Sequence, residues 1–376
     1  MLYDKLKEYA DSGVYPMHMP GHKRNEKFLL PCSPYKIDIT EIHGFDDLHD
    51  PHEVLLITAR LAADLYNSRE AFLLINGSTV GILAAIGAST ERGDKILAVS
   101  NCHWSTPNAA ELFGLEIVYI TPEIDEASGV PCSISPAIVE SALAKNPDIK
   151  LVVITSPTYE GVVSDIALIA EAAHNSGALL LVDSAHGAHL GFSDAFPKSA
   201  TTQGADIVVI SLHKTLPAMT QCSLLHVCSR RVDTAGIQKL LSILQTSSPS
   251  YVLMASMDYC LRLLDSFSTE LFSTYKINLD CFSDSVVNLK KLSVLCHGRD
   301  PLHPEFYDFD PGKIVIITKN TGLSSPMLAD ILREDYKIEI ERVYEDYVIA
   351  MTSICDSEEG LMQLADALIA IDTDLL

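Results

Sequence analysis

Leu179-Leu180-Leu181-Val182-Asp183-Ser184-Ala185-His186-Gly187-Ala188-His189 is an apolar run that stops abruptly at an acid and a polar turn. Asp206-Ile207-Val208-Val209-Ile210-Ser211-Leu212-His213-Lys214 has the same form and ends on a lysine. Apolar stretches of this length with no polar alternation read as strands buried on both faces. The pair supplies strands over Leu179–Val182 and Asp206–Ser211. Working outward, the form recurs at Ala71–Leu74, Lys95–Val99, Glu116–Ile120 and Leu151–Thr155. Each of the first four gaps has room and periodicity for one helix. One helix is predicted to follow Ser78-Thr79, whose hydroxyls suit an N-cap. Another runs from Asp165 to Ser176 and closes on Gly177. Strands alternating with helices make a mostly parallel sheet covered on both faces, an α/β fold.

Beyond Ser211 the pattern changes. Ser223–Cys228 follows too closely for a helical crossover, so it is expected beside its predecessor as an antiparallel strand. A long helix begins at Tyr251 and extends to Leu271 or further. A second, smaller α/β unit then has strands over Lys313–Thr318, Lys337–Glu341 and Tyr347–Ile354, with helices over Pro326–Glu334 and Glu358–Ile371. The first 45 or so residues hold Pro16, Pro20, Pro31 and Pro34 with little periodicity, and read as an extended arm. A chain of 376 residues exceeds what one growing core accommodates. The expected division is an arm over 1–45, a large domain over 46–256, and a small C-terminal domain over 257–376 that includes the connecting helix.

Composition narrows the function classes. Hydrophobic residues make up 48% and charged residues 20%, which fits a large packed core. A formal charge of −23 repels nucleic acid and anionic membrane, so neither is an expected partner. The nine cysteines are scattered without a CxxC pair, which points away from zinc and from a disulfide framework, and towards a reducing cytoplasm. The N-terminus is charged and helix-like, and no run reaches the roughly 20 apolar residues that span a bilayer.

In parallel α/β sheets ligands sit at the carboxyl ends of strands, and those ends are chemically rich here. Asn76-Gly77-Ser78-Thr79 is either an ordinary helix start or a glycine turn offering N–H groups to a phosphate. His103, in Asn101-Cys102-His103-Trp104, can stack on an aromatic ligand, bind a metal, or hydrogen-bond its own loop. Asp183 can anchor a loop or hold a cation such as a protonated pyridine nitrogen. His186 and His189 lack a companion ligand, so no metal site is expected. A lysine just past a buried strand, as at Lys214, has its pKa lowered by burial and becomes a nucleophile toward aldehydes. An aspartate, a gap of about 30 residues, then Ser211-Leu212-His213-Lys214, all downstream of a glycine-hydroxyl turn, is what a pyridoxal phosphate site requires.

The sequence resembles the fold-type I pyridoxal phosphate enzymes and, more narrowly, the bacterial ornithine/lysine/arginine decarboxylases. The segments that carry the resemblance include Met17-His18-Met19-Pro20-Gly21-His22-Lys23, Gly44-Phe45-Asp46-Asp47-Leu48-His49 and Asn76–Thr79. They continue through Val182–His189 and Ser211–Gln221 to Gln245-Thr246-Ser247-Ser248-Pro249-Ser250-Tyr251. The resemblance implies an aspartate aminotransferase-like large domain and a small C-terminal domain. It implies a Schiff base on Lys214, Asp183 paired with the pyridine nitrogen, and Ser78, Thr79, Ser211 and His213 around the phosphate. It places His103 and Ala185 on the two ring faces and His186 near the ring hydroxyl. The arm at Pro20-Gly21-His22 would border the active site, commonly across a dimer interface, so a homodimer or larger homo-oligomer is implied. The implied reaction is decarboxylation of arginine, lysine or ornithine to an amine, as in polyamine biosynthesis. His22 and Glu341 are candidates for contacting the substrate. Another pyridoxal phosphate reaction, or a silent cofactor-binding protein, is the alternative.

The chain also departs from the family. Ser184 stands where glutamate is common, Glu160 where an aromatic is common, and Trp104 where a polar residue often follows Cys-His. It ends at Leu376 where many relatives continue into a further domain, which implies a minimal or divergent member.

Overall fold

The computed structural model describes residues 1–297 and 304–376. Its centre is a seven-stranded sheet in the spatial order Glu70–Leu74, Ser223–Val227, Ile207–Ile210, Leu179–Asp183, Ile149–Thr155, Lys95–Val99 and Glu116–Ile120. Only Ser223–Val227 runs antiparallel to its neighbours, and the remaining pairings are parallel. The expected strands therefore stand, each within about two residues of its predicted bounds. Ile149–Thr155 and Leu179–Asp183 are buried almost throughout, because helices cover both faces of the sheet.

The helices differ in detail. Gly77–Ala88 starts at Gly77 with Asn76 as N-cap, so Ser78 and Thr79 lie inside its first turn and do not cap it. Ile166–Asn175 is capped by Asp165, whose carboxylate accepts the Leu168 N–H, and Gly177 follows in a left-handed conformation. The long helix continues past Leu271 to Ser285, and packs on the C-terminal helix Glu358–Asp374 and on Val54–Leu65.

The second sheet has four antiparallel strands in the order Ser293–Val294, Lys313–Ile317, Tyr347–Met351 and Arg342–Val343. The predicted strand at Lys337–Glu341 shortens to Ile338–Ile340 and pairs elsewhere. It runs parallel to Tyr15–Met17, in the register Tyr15 to Ile338. The proline-rich arm is thus a built part of the small unit, preceded by a helix over Leu2–Ala10. Lys23 fastens it: the buried amine donates to the carbonyls of Pro16, His18 and Met351 and lies 3.8 Å from Asp356. Asp308–Phe309 pairs with Val162–Val163 and ties the two units together. No helix among the described residues is long and apolar enough to cross a membrane.

His226 is an unusual passenger in the central sheet. It is fully buried on Ser223–Val227, with Nδ1 at 2.9 Å from Ser68 Oγ and Nε2 without a partner among the described residues. Burial pushes its pKa down to about 3. The unfolded chain takes up a proton near 6.5, the native state only near 3, so stability is lost as pH falls through that interval. At about 1.4 kcal/mol per pH unit, such a displacement corresponds to several kcal/mol. The melting temperature is therefore expected to fall steeply below pH 6, and His226→Leu to flatten that fall. Parallel slopes for the two proteins would rule this histidine out.

Candidate active site

The carboxyl ends of the parallel strands converge on a cleft of about 390 Å³. At one end the helix Gly77–Ala88 opens with its first N–H groups free of intrahelical partners. Gly77 has φ +76°, and the space beside its Cα is open, so the backbone itself forms the wall here. Ser78 Oγ lies 2.6 Å from Ser211 Oγ and 3.3 Å from Ser223 Oγ, and Ser223 Oγ is 3.4 Å from Ser211 Oγ. Ser78 and Ser211 line the cleft beside a positive helix end, an arrangement that suits an anion, while the fully buried Ser223 backs both hydroxyls from behind the wall. Thr79 and His213 also line the cleft, the latter with Nδ1 held at 3.0 Å from the Cys222 carbonyl. Ser223 was not anticipated, because within Ser-Leu-Leu-His-Val it reads only as the first residue of a strand.

Asp183 ends the strand Leu179–Asp183 and is 4% exposed. Its carboxylate accepts the Ala185 N–H at 3.2 Å. Burial raises its pKa, against the lowering pull of Lys214, that N–H and His103. A buried carboxylate with so little hydrogen bonding calls for a cationic partner. His103 and Ala185 line the same cleft, and His103 Nδ1 lies 2.9 Å from Ser105 Oγ.

Lys214 sits in a one-turn helix, Leu212–Thr215, immediately after the strand Ile207–Ile210. Burial lowers its pKa, while Asp183 and Glu341 pull the other way. Its Nζ is 3.0 Å from His186 Nε2. The arm lies flat on this turn, with the Gly21 N–H donating to the His213 carbonyl at 2.7 Å. A Cβ on Gly21 would come within 2.7 Å of the Leu216 amide nitrogen, so no other residue lets the arm approach this closely.

Two substrate candidates stand back from the cleft wall. Glu341 follows the strand Ile338–Ile340 and accepts both the Tyr159 hydroxyl and the Met19 N–H, the latter at 2.8 Å. Tyr159 lines the cleft, so Glu341 is one residue behind it. His22 lies in a separate groove against Pro217 and Met219, and its Nδ1 accepts the Arg24 N–H at 3.0 Å. His189 also points away, pairing with Asp310 at 3.0 Å. Lys313, fully buried, stands 3.3 Å from His186 Nδ1. The sequence reading missed it, although a lone lysine opening the apolar run Lys313–Ile317 was the available signal.

The three departures from the family pattern are accommodated differently. Trp104 is 76% exposed and does not line the cleft. Glu160 is buried and accepts the Tyr347 hydroxyl at 2.9 Å. Ser184 is buried where only Gly187 leaves room, since a Cβ on Gly187 would meet Ser184 Oγ at 2.4 Å. Among the described residues no cluster of three His, Cys, Asp or Glu side chains is arranged to hold a metal ion.

A family model described as "Orn/Lys/Arg decarboxylase, major domain" matches residues 1–278. The chain belongs to this family of amino-acid decarboxylases. It is 44% identical to the "Uncharacterized protein YaaO" of Bacillus subtilis over 263 residues, covering 68% of this chain and 55% of that one. It is 32% identical to an arginine decarboxylase of Halalkalibacterium halodurans over 375 residues, covering 98% of this chain and 76% of that one. Among solved structures, Francisella novicida lysine decarboxylase LdcF matches with TM-score 0.79 at 18% identity, over 90% of this chain and 54% of that one. The chain thus spans about half the length of YaaO and of LdcF. L-threonine transaldolase from Pseudomonas fluorescens, solved in its internal aldimine state, matches with TM-score 0.72 at 15% identity, over 99% and 87%. Those likenesses establish the fold, that of the fold-type I pyridoxal phosphate enzymes.

Proposed function

We propose that this chain decarboxylates a basic amino acid with pyridoxal phosphate held at Lys214. The observation that carries the reading is the convergence, in one cleft, of a largely enclosed lysine amine, a buried carboxylate and the hydroxyls of Ser78, Thr79 and Ser211 at a helix N-terminus. The residues fit the cofactor group by group. Ser78, Thr79 and Ser211, with the helix N-terminus, would hold its phosphate, and Ser223 would position Ser78 and Ser211. Asp183 would hold its ring nitrogen protonated. When bound, the cofactor supplies an electron sink for the pair left behind as carbon dioxide departs. His103 and Ala185 would confine the ring between them, and His186 would stand near its hydroxyl.

Among the basic amino acids, arginine leads. Relatives aligned over 98% of this chain carry the name arginine decarboxylase. Glu341 stands behind Tyr159 and would act on the substrate by fixing that cleft-lining hydroxyl. The reading is tested by offering arginine, lysine and ornithine to protein reconstituted with pyridoxal phosphate, while measuring carbon dioxide and amine. Equimolar carbon dioxide and amine from one of the three is the expected result. A keto acid or ammonia as product would replace decarboxylation with transamination or elimination.

A further inference from the structure

His186 lies between two lysines. Its Nε2 is 3.0 Å from Lys214 Nζ and its Nδ1 is 3.3 Å from Lys313 Nζ. A neutral imidazole has one N–H and one lone pair, so it cannot accept from two ammonium groups. Burial, Lys214 and Lys313 all push the His186 pKa well down, so an imidazolium between two cations is not the resting state. Both contacts close as hydrogen bonds only if the lysine that receives the imidazole N–H is a free amine, and the other lysine donates.

The surroundings decide which is which. Lys313 follows a turn in which its own N–H donates to the Asp310 carbonyl at 3.0 Å. The Asp310 carboxylate accepts from the Gly312 N–H and pairs with His189. Burial opposes its ionisation, yet His189, Lys313 and the Gly312 N–H hold its pKa below the ordinary value. Lys214 instead faces Asp183, whose pKa burial raises. Burial lowers the Lys313 pKa to about 8 while Asp310 pulls it up, so Lys313 keeps its proton at neutral pH. The other charges around the pair are Lys23 of the arm, Glu341 beyond the strand Ile338–Ile340, and His103 and His213 on the cleft wall. The fold also makes room for this lysine. Gly161 passes over its stem, where a Cβ would come within 2.7 Å of Lys313 Cγ.

We propose that Lys313 is a positioning residue acting through His186. It donates to Nδ1, directs Nε2–H at Lys214, and so holds Lys214 as the free amine that attacks an aldehyde. In that step the Lys214 nitrogen bonds to the aldehyde carbon, and the carbonyl oxygen leaves as water. The proposal rests on the reading of Lys214 as the cofactor lysine. Lys313 is buried behind His186 and does not itself line the cleft.

Two measurements on the cofactor-free full chain test it. The first is the ¹⁵N spectrum of the His186 imidazole, assigned by difference from His186→Asn. The expected tautomer carries its proton on Nε2; a proton on Nδ1 overturns the proposal without any change at Lys313. The second is the rate of pyridoxal phosphate capture as a function of pH, in wild type, Lys313→Met and Lys313→Gln. Methionine removes both the charge and the donor, so its capture midpoint is expected to rise by about one pH unit. Glutamine keeps an N–H donor and should fall between. Superimposable profiles from folded variants overturn the proposal, since a space-filling role would not move them. If the methionine variant does not fold, the wild-type tautomer decides alone. If wild type captures no pyridoxal phosphate at any pH, the proposed function fails, and the tautomer still reports on Lys313.

Discussion

Lys214→Ala removes the visible absorbance band of the reconstituted protein and lowers turnover by at least about 10⁴-fold, the scale seen when a covalent nucleophile is deleted. The protein stays folded. Lys214 occupies a cleft, and burial already disfavours its charge, so deleting it relieves a desolvation cost. What remains for the cofactor is the anion seat of Ser78, Thr79 and Ser211 and the Asp183 carboxylate, which would bind without a covalent link. Borohydride reduction of the wild type, followed by peptide mass mapping, should place the cofactor on Lys214, and the variant should carry no label after gel filtration. Lys313 supplies a stringent control, since it is the other buried amine beside His186. A reduced adduct on Lys313 in both proteins would refute the assignment of Lys214.

Asp183→Asn is expected to lower kcat by about 10²- to 10⁴-fold with little change in KM, because the lost interaction is with charge that matters during reaction. Asparagine keeps the shape and can still accept the Ala185 N–H, but it cannot hold a protonated ring nitrogen. Stability should move the opposite way. The folded pKa of Asp183 is raised by burial, so the unfolded chain releases this proton at lower pH than the native state does. Stability is lost as pH rises from the ordinary carboxylate value through the folded one, and the penalty is complete above both. The cofactor-free variant should therefore melt higher than wild type at pH 7 and match it near pH 3. Measuring kcat together with melting curves at both pH values checks the two signs. A variant that is less stable at neutral pH and equally active would exclude the electrostatic role.

The central sheet was legible because its strands are buried on both faces and therefore apolar without interruption, as in Leu179–Asp183. Asp183 and Lys214 were legible because each is a charge set at the end of such a run. The small unit was less so. Lys337–Glu341 has the composition of a strand, and composition says nothing of its partner; Tyr15–Met17 lies more than 300 residues away in the chain. Sequence separation also hid Lys313, whose meaning depends on His186, 127 residues earlier in the other unit. Local preference makes Ser78 and Thr79 either helix caps or part of a phosphate turn, and does not choose between the two. Asn76 takes the cap position and leaves both hydroxyls on the cleft wall.

The parallel pairing of Tyr15–Met17 with Ile338–Ile340, and the grip of Lys23 on Met351 and Asp356, set an order of events during synthesis. The segment 15–23 lacks these partners until residues 338–356, more than 300 positions later, have been made. The strands that carry Asp183 and Lys214 can assemble earlier, from contacts closer in sequence. The arm then lands on the His213 carbonyl, in the turn that carries Lys214. Bracing of that turn would therefore wait on residues made long after the lysine itself.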